Sequence, residues 1–195
     1  RSAPEKHGIS SKRIYNMLCE LEAEKRANIH SLLVLCDGEV ISECSREGYS
    51  SGLWHLSHSM SKTVTGMAVG LLIADEKLKN SIRLTDIFPE ISYKDKRFSE
   101  ITVEHLLCMT AGVAFNEAGA VTEPDWTESY FNSSMKFSPG EKFFYNSMNS
   151  YILARIVERC SNMRFIDFVN ERIFSPLGIK NFFWEKSPEG IEKGG

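Results

Sequence analysis

The sequence has no long apolar run, no strong excess of charge of one sign and no clustered basic segment. No apolar stretch reaches the ~18 residues that a bilayer-spanning helix needs, so no transmembrane segment is expected. The 23 Lys and Arg residues are nearly balanced by 26 Asp and Glu residues, for a formal charge of −3. This balance gives no support for nucleic-acid binding. With 42% hydrophobic and 25% charged residues, the composition is that of a globular domain.

The cysteines and histidines lack the spacings that metal sites and disulfide frameworks require. The five cysteines are Cys19, Cys36, Cys44, Cys108 and Cys160. Their number is odd and no C-x-x-C pair occurs, so reduced thiols are expected, which favours a cytoplasmic location. His7, His30 and His55 have no H-x-x-x-H spacing and no nearby ligand cluster in the sequence, so neither a metal ion nor a cofactor is expected.

The first residues of the chain do not determine the cellular compartment of the protein. Residues 1–8 do not resemble the apolar core of a signal peptide. Because the chain begins with Arg1 rather than Met, a periplasmic or secreted location stays an alternative.

Apolar spacing predicts one helix and one hairpin in the first quarter of the chain. Ile14, Met17, Leu18 and Leu21 favour an amphipathic helix over residues 10–28. The run HSLLVLC over residues 30–36 predicts a strand, and the following Asp-Gly pair is a two-residue turn signal that leads into a second strand over 39–44. Since a lone hairpin leaves both strand edges unpaired, further strands are needed to complete the sheet.

The rest of the chain is predicted to be mainly helical after a polar loop over residues 48–57. The helical patterns cover residues 59–75, about 102–109, about 125–131, about 149–161 and about 165–174.

The most informative segment lies between Ser59 and Asp75. Twelve uncharged residues separate Lys62 from Asp75, and their apolar members surround the helix almost completely, which predicts a buried central helix. Ser59 precedes Lys62 by three residues, so both side chains lie on one face near the helix start. A hydroxyl nucleophile, an amine base and the N–H groups of a helix N-terminus therefore come within one turn.

The S-x-x-K spacing alone is weak evidence, because about one such match is expected by chance in a chain of this length. Ser133 and Lys136 have the same spacing, but Pro139 follows, so Ser133 is predicted to be a cap or loop serine. Helix evidence by itself leaves two interpretations of Ser59. It is either an N-cap serine beside a lysine whose stem lies along the surface, or half of a catalytic pair.

Four collinear segments resemble the serine β-lactamase and penicillin-binding-protein superfamily. They are residues 56–63 (LSHSMSKT), 105–112 (HLLCMTAG), 139–147 (PGEKFFYNS) continuing into 152–158 (ILARIVE), and 174–179 (FSPLGI). The chain is most similar to the class C-like branch, which includes esterases, DD-peptidases and 6-aminohexanoate-oligomer hydrolases. The resemblance implies an α+β fold (an α/β sandwich) of the β-lactamase/transpeptidase-like class. In that fold an antiparallel sheet is flanked by helices, beside a mainly helical subdomain.

The resemblance also implies a serine hydrolase that forms an acyl-enzyme. Ser59 would attack the carbonyl of an ester or amide, such as a β-lactam, a peptide or a small carboxylic ester. Lys62 would accept the Ser59 proton. Tyr145 would hydrogen-bond both groups, pass a proton to the leaving group and then help to activate the deacylating water. His105 resembles a family position with a structural role.

Two departures from the family pattern bear on substrate binding. The family usually has Asn two residues after the tyrosine, where this chain has Ser147, whose shorter hydroxyl weakens the expectation of β-lactam or peptide recognition. Asn149 either takes part of that substrate-binding role or caps the following helix. The family's Lys- or His-Thr-Gly strand, which supplies half of the oxyanion hole, does not occur in residues 1–195.

These departures keep a second class of function open: a catalytically silent relative that binds a peptide or cell-wall ligand, or an interaction module. The missing motif and the unpartnered hairpin also predict that residues 1–195 are the N-terminal portion of a single larger β-lactamase-like domain, holding its hairpin and helical part. We therefore expect this portion alone not to be fully active.

Overall fold

The computed structural model describes residues 1–50 and 52–195. The chain forms two compact units, Arg1–Leu56 and Ser57–Gly195. The predicted loop over 48–57 includes Ser51, which lies outside the described residues, while its described positions form turns and irregular backbone. None of the helices in the described ranges is long and apolar enough to cross a membrane.

The first unit contains a helix and a hairpin, as the sequence predicts. After a 3-10 turn over Pro4–His7, helix α1 spans Ser11–Ala23, strand β1 spans Ser31–Cys36 and strand β2 spans Glu39–Ser45. Helix α1 ends five residues before the predicted boundary because Glu24 is extended, and its carboxylate accepts hydrogen bonds from the backbone and side chain of Arg26.

The hairpin is antiparallel, with Ser31 opposite Ser45 and Cys36 opposite Glu39. Asp37 and Gly38 both have positive φ, 48° and 77°, as a tight two-residue hairpin turn requires. Within the described residues the sheet has only these two strands.

The second unit is built from two long helices, α2 and α7, with short helices and turns around them. Its elements are a 3-10 turn over His58–Met60, α2 (Ser61–Ala74), α3 (Leu84–Ile87), a 3-10 turn over Lys96–Glu100, α4 (Val103–Leu107), α5 (Glu117–Ala120), α6 (Trp126–Phe131), α7 (Ser147–Ser161), α8 (Phe165–Val169) and a π-helical turn over Asn170–Phe174. The four-residue helices α3 and α5 were not predicted, because such short segments carry no readable apolar period.

Helix α7 lies at the centre of the second unit and packs against α2, α4 and α8. Ten of its fifteen residues are buried. The helix begins at Ser147 because the side chain of Asn146 accepts a hydrogen bond from the Met148 N–H, and it ends at Asn162, which has left-handed backbone. The predicted start near residue 149 is two residues too late.

Helix α2 is buried on one face only, so the prediction of a helix surrounded on all sides is wrong for the described residues. Its buried side chains are Thr65, Ala68, Val69 and Leu72. They face the helices that pack against α2, chiefly α7. Met67 on another face is 47% exposed.

Candidate active site

Three of the predicted site residues meet at one oxygen atom. Ser59 lies in the 3-10 turn before α2, and Lys62 is the second residue of that helix. The Lys62 ammonium donates a hydrogen bond to Ser59 Oγ over 3.1 Å. The Tyr145 hydroxyl donates to the same oxygen over 2.6 Å. Ser59 itself is exposed, so its hydroxyl, with a lysine and a tyrosine bonded to it, is accessible from solvent.

The residue before Ser59 has a strained backbone conformation. His58 has φ 45°, which is the left-handed region that non-glycine residues seldom occupy. The Ser61 hydroxyl donates to the His58 carbonyl over 2.8 Å and helps to hold this conformation. Strain of this kind is concentrated at functional sites, where the surrounding structure over-determines it.

Tyr145 reaches Ser59 because its loop is bonded to a second segment. We call residues 105–112 the 105–112 turn and residues 136–145 the tyrosine loop. Three N–H groups of the tyrosine loop donate to carbonyls of the turn: Lys136 to Gly112 over 2.8 Å, Gly140 to Thr110 over 2.9 Å, and Phe144 to Met109 over 2.8 Å. Since the last of these bonds is adjacent to Tyr145, the turn positions the phenol.

Gly112 and His105 fix the shape of the 105–112 turn. Gly112 has φ 80°, and a Cβ there would lie 2.4 Å from the Phe137 carbonyl oxygen, so only glycine fits. His105 forms a capping box with Thr102 at the start of α4, in which the Thr102 N–H donates to His105 Nδ1 over 3.2 Å. This placement agrees with the structural role expected for His105.

The neighbours of Tyr145 change its acidity. Partial burial of Tyr145 tends to raise its pKa, but the hydrogen bond to Ser59 and the nearby Lys62 ammonium stabilise the phenolate. Together they hold the pKa of Tyr145 below its usual value. The Lys62 nitrogen is 5.3 Å from the centre of the Tyr145 ring. A larger fraction of Tyr145 is therefore phenolate than of an isolated tyrosine at the same pH.

Ser147 is buried beside this cluster without a partner. Its side-chain oxygen makes no hydrogen bond within the described part of the chain. A buried hydroxyl that lacks a partner costs about 1–3 kcal/mol. Ser147 lines a cavity of about 660 Å³, together with Trp126, Met148 and Tyr151. The hydroxyl is thus available to a bound molecule.

Asn149 is placed differently from Ser147. It is 1% exposed, and the Tyr130 hydroxyl donates to its side-chain oxygen over 2.8 Å. Its amide nitrogen lies 3.6 Å from the Met109 sulfur. The helix cap is Asn146, so the alternative in which Asn149 caps α7 is wrong.

One carboxylate that the sequence did not single out anchors the far wall of the cavity. Glu189 accepts hydrogen bonds from the Trp126 N–H over 2.9 Å and from the Tyr151 hydroxyl over 3.0 Å. It also accepts a bond from the Thr127 hydroxyl. No local pattern marks Glu189, because its partners lie 38 to 63 residues earlier.

Known proteins are similar to this chain in sequence and in fold. The sequence matches the family model described as Beta-lactamase over residues 20–194. A 6-aminohexanoate-dimer hydrolase from Paenarthrobacter ureafaciens is 27% identical over 166 residues, which cover 75% of this chain and 42% of that protein. A beta-lactamase from Escherichia coli (strain K12) is 29% identical over 137 residues, which cover 69% of this chain and 36% of that protein.

A solved structure agrees with these matches. The octameric penicillin-binding protein homologue from Pyrococcus abyssi superimposes with a TM-score of 0.69 at 22% sequence identity, over 91% of this chain and 45% of that chain. The chain thus spans less than half of the length of each of these relatives. The predicted α+β fold of the β-lactamase/transpeptidase-like class is confirmed. Because the family match extends over most of the sequence, the chain belongs to the beta-lactamase family.

Proposed function

We propose that this protein is a serine hydrolase in which Ser59 forms an acyl-enzyme with an ester or amide substrate. The observation that carries the proposal is the convergence of Lys62 and Tyr145 on Ser59 Oγ, over 3.1 and 2.6 Å. The two relatives described above are named 6-aminohexanoate-dimer hydrolase and beta-lactamase, which are names of hydrolases. That agreement supports the proposed class of reaction.

The acylation step follows from the positions of these groups. Ser59 Oγ attacks the substrate carbonyl carbon, and its proton passes to Lys62 Nζ over the 3.1 Å contact, for which Lys62 must enter the step as the unprotonated amine. The carbonyl oxygen becomes an oxyanion, for which the Ser59 N–H is the one donor that residues 1–195 are proposed to supply. Tyr145 then donates a proton to the leaving alcohol or amine as the bond to the carbonyl carbon breaks. The result is an ester of Ser59.

Deacylation reverses the proton movements. Tyr145 accepts a proton from water, which attacks the Ser59 ester. The Ser59 oxygen leaves with a proton from Lys62 or Tyr145, and the free acid is released. A phenol with a lowered pKa suits this step, because a larger fraction of it can accept a proton near neutral pH.

The substrate acyl group is proposed to bind in the cavity beside Ser147. The unpartnered Ser147 hydroxyl offers a hydrogen bond to a substrate carbonyl or amide. Asn149 was proposed from the sequence to share this role, but its side chain is bonded to Tyr130 and contacts Met109. We therefore propose that Asn149 supports the site by holding Met109, whose carbonyl binds the tyrosine loop.

A second candidate is a binding module that has lost catalysis. The observation in its favour is Ser147, which replaces the amide side chain expected from the family with a shorter hydroxyl. The two candidates differ in one respect that can be measured. Only the hydrolase needs Ser59 to be nucleophilic.

Covalent labelling tests the proposal. The purified protein is incubated with a fluorophosphonate and its intact mass is measured. One adduct per chain is expected, absent in Ser59→Ala and slower in Lys62→Ala, because the amine assists removal of the serine proton. The matched control is Ser133→Ala, which removes the serine of the second S-x-x-K segment and is expected to keep the label. A folded full-length protein that does not label, or a labelled Ser59→Ala variant, contradicts the proposal and favours the binding module.

A further inference from the structure

Four side chains with metal-binding chemistry meet in the first unit, Arg1–Leu56. The serine site belongs to the second unit, Ser57–Gly195. His7 ends the 3-10 turn over Pro4–His7, and Cys36 ends β1. Asp37 begins the hairpin turn and Glu39 begins β2. The sequence shows no ligand cluster near His7, but the fold brings Cys36 and Asp37 to it.

The donor atoms lie near one another, at separations close to those around one small cation. His7 Nδ1 lies 3.0 Å from Asp37 Oδ2, and Cys36 Sγ lies 3.7 Å from the same oxygen. The three donor atoms are all within 4.8 Å of one another. In a tetrahedral zinc site, bond lengths of about 2.0–2.3 Å place neighbouring ligand atoms about 3.4–3.7 Å apart. Small movements of these side chains would therefore admit an ion.

Glu39 is placed to orient the imidazole. The His7 side chain is only 9% exposed, and its Nε2 lies 3.3 Å from Glu39 Oε2. That nitrogen is buried and makes no hydrogen bond of good geometry in the described part of the chain. A carboxylate behind the far nitrogen of a histidine fixes the tautomer whose other nitrogen binds a metal. Here that other nitrogen is Nδ1, which donates a hydrogen bond to Asp37 Oδ2. Metal binding therefore requires the imidazole proton to move from Nδ1 to Nε2, which lies 3.3 Å from Glu39 Oε2.

We propose that His7, Cys36 and Asp37 bind a zinc ion, with Glu39 as the positioning carboxylate of His7. Nitrogen and sulfur ligands select zinc over magnesium or calcium, which prefer all-oxygen sites. Three protein ligands leave the fourth position of a tetrahedral ion for water. When the ion binds, the Cys36 thiol loses its proton to solvent and the sulfur binds as the thiolate. The ion would cross-link the N-terminal turn to the tip of the hairpin.

Cobalt is the first probe, because a thiolate ligand gives the Co²⁺ complex a sulfur charge-transfer band. Metal-free wild-type protein is titrated with Co²⁺, and zinc affinity is then measured by competition with a chromophoric chelator. We expect one equivalent of either ion to bind. Cys36→Ser should abolish the charge-transfer band and weaken zinc binding at least tenfold, and Glu39→Gln should weaken it about 10- to 100-fold.

Two variants separate loss of the site from loss of the fold. Asp37→Asn removes a charged ligand but keeps a residue that suits this turn, so it should fold and bind zinc more weakly. Cys19→Ser changes an exposed cysteine on α1 and should bind like the wild type. The proposal is overturned if the wild type binds no stoichiometric cobalt or zinc, or if Cys36→Ser and Asp37→Asn bind zinc as tightly as the wild type does.

Discussion

The contact between Gly112 and Phe137 provides a quantitative test of how the tyrosine loop is held. In Gly112→Ala, the new Cβ would lie 2.4 Å from the Phe137 carbonyl oxygen and 3.0 Å from its ring. The backbone has φ 80°, and left-handed backbone costs an alanine about 1–2 kcal/mol. The side-chain and backbone shifts that an overpacked contact forces typically cost a further ~1–3 kcal/mol. We therefore expect Gly112→Ala to lower the free energy of unfolding by about 2–5 kcal/mol.

Gly178 supplies the matched control. Its φ is 71°, but a Cβ there would meet no atom within 4 Å. Gly178→Ala should therefore show only the backbone cost of about 1–2 kcal/mol. Both free energies are obtained from urea unfolding followed by tryptophan fluorescence, with the slope of the transition checked for each variant. The difference between the two variants measures the contact with Phe137.

Labelling of Ser59 supplies a second measurement. Because Phe137 belongs to the loop that carries Tyr145, Gly112→Ala should also slow fluorophosphonate labelling under conditions where the variant is folded. Gly178→Ala should label at the wild-type rate. Equal losses of stability in the two variants, with equal labelling rates, would refute the claim that close packing of Gly112 positions Tyr145.

Two further predictions concern single charged or ionisable groups. Since the pKa of Tyr145 lies below the usual 10.0, its phenolate absorbance should appear at lower pH than that of a free tyrosine, measured as the difference between wild type and Tyr145→Phe. Lys62→Met should move this titration to higher pH, and an unchanged curve would contradict the assigned cause. Glu189→Gln should lower the free energy of unfolding by about 1–3 kcal/mol, because Tyr151 and two backbone N–H groups of α6 lose a charged acceptor. The exposed Glu171→Gln should change it by less than about 0.5 kcal/mol, and equal losses in a denaturant titration would refute the role of Glu189.

Local sequence patterns predicted the parts of the fold that depend on local geometry. Asp37 and Gly38 predicted the hairpin, because few residue pairs tolerate that turn. The spacing of Ser59 and Lys62 predicted their contact, because a helical turn brings positions three apart together. Both depend on neighbours in the chain rather than on distant packing.

The features that local sequence patterns did not predict depend on contacts between residues far apart in the chain. Tyr145 is 86 residues from Ser59, and the residues between them contain no pattern that brings the two together, so only the family resemblance pointed to it. Asn146 and Asn149 are equally good caps by residue type, and the start of α7 is set by tertiary contacts. The cluster around His7 joins positions about 30 residues apart. The prediction that residues 1–195 are part of a larger domain stays a prediction.

The 105–112 turn has a consequence for how the site can diverge in evolution. Its three bonds to the tyrosine loop run between backbone atoms, so they do not depend on which side chains the loop carries. Phe143, for example, is 70% exposed and lies beside the bond that holds Phe144. Replacement of such outward-facing side chains can alter the surface of the tyrosine loop while the Tyr145 phenol keeps its position. The scaffold thus separates the residues that selection can vary from the backbone that it must keep.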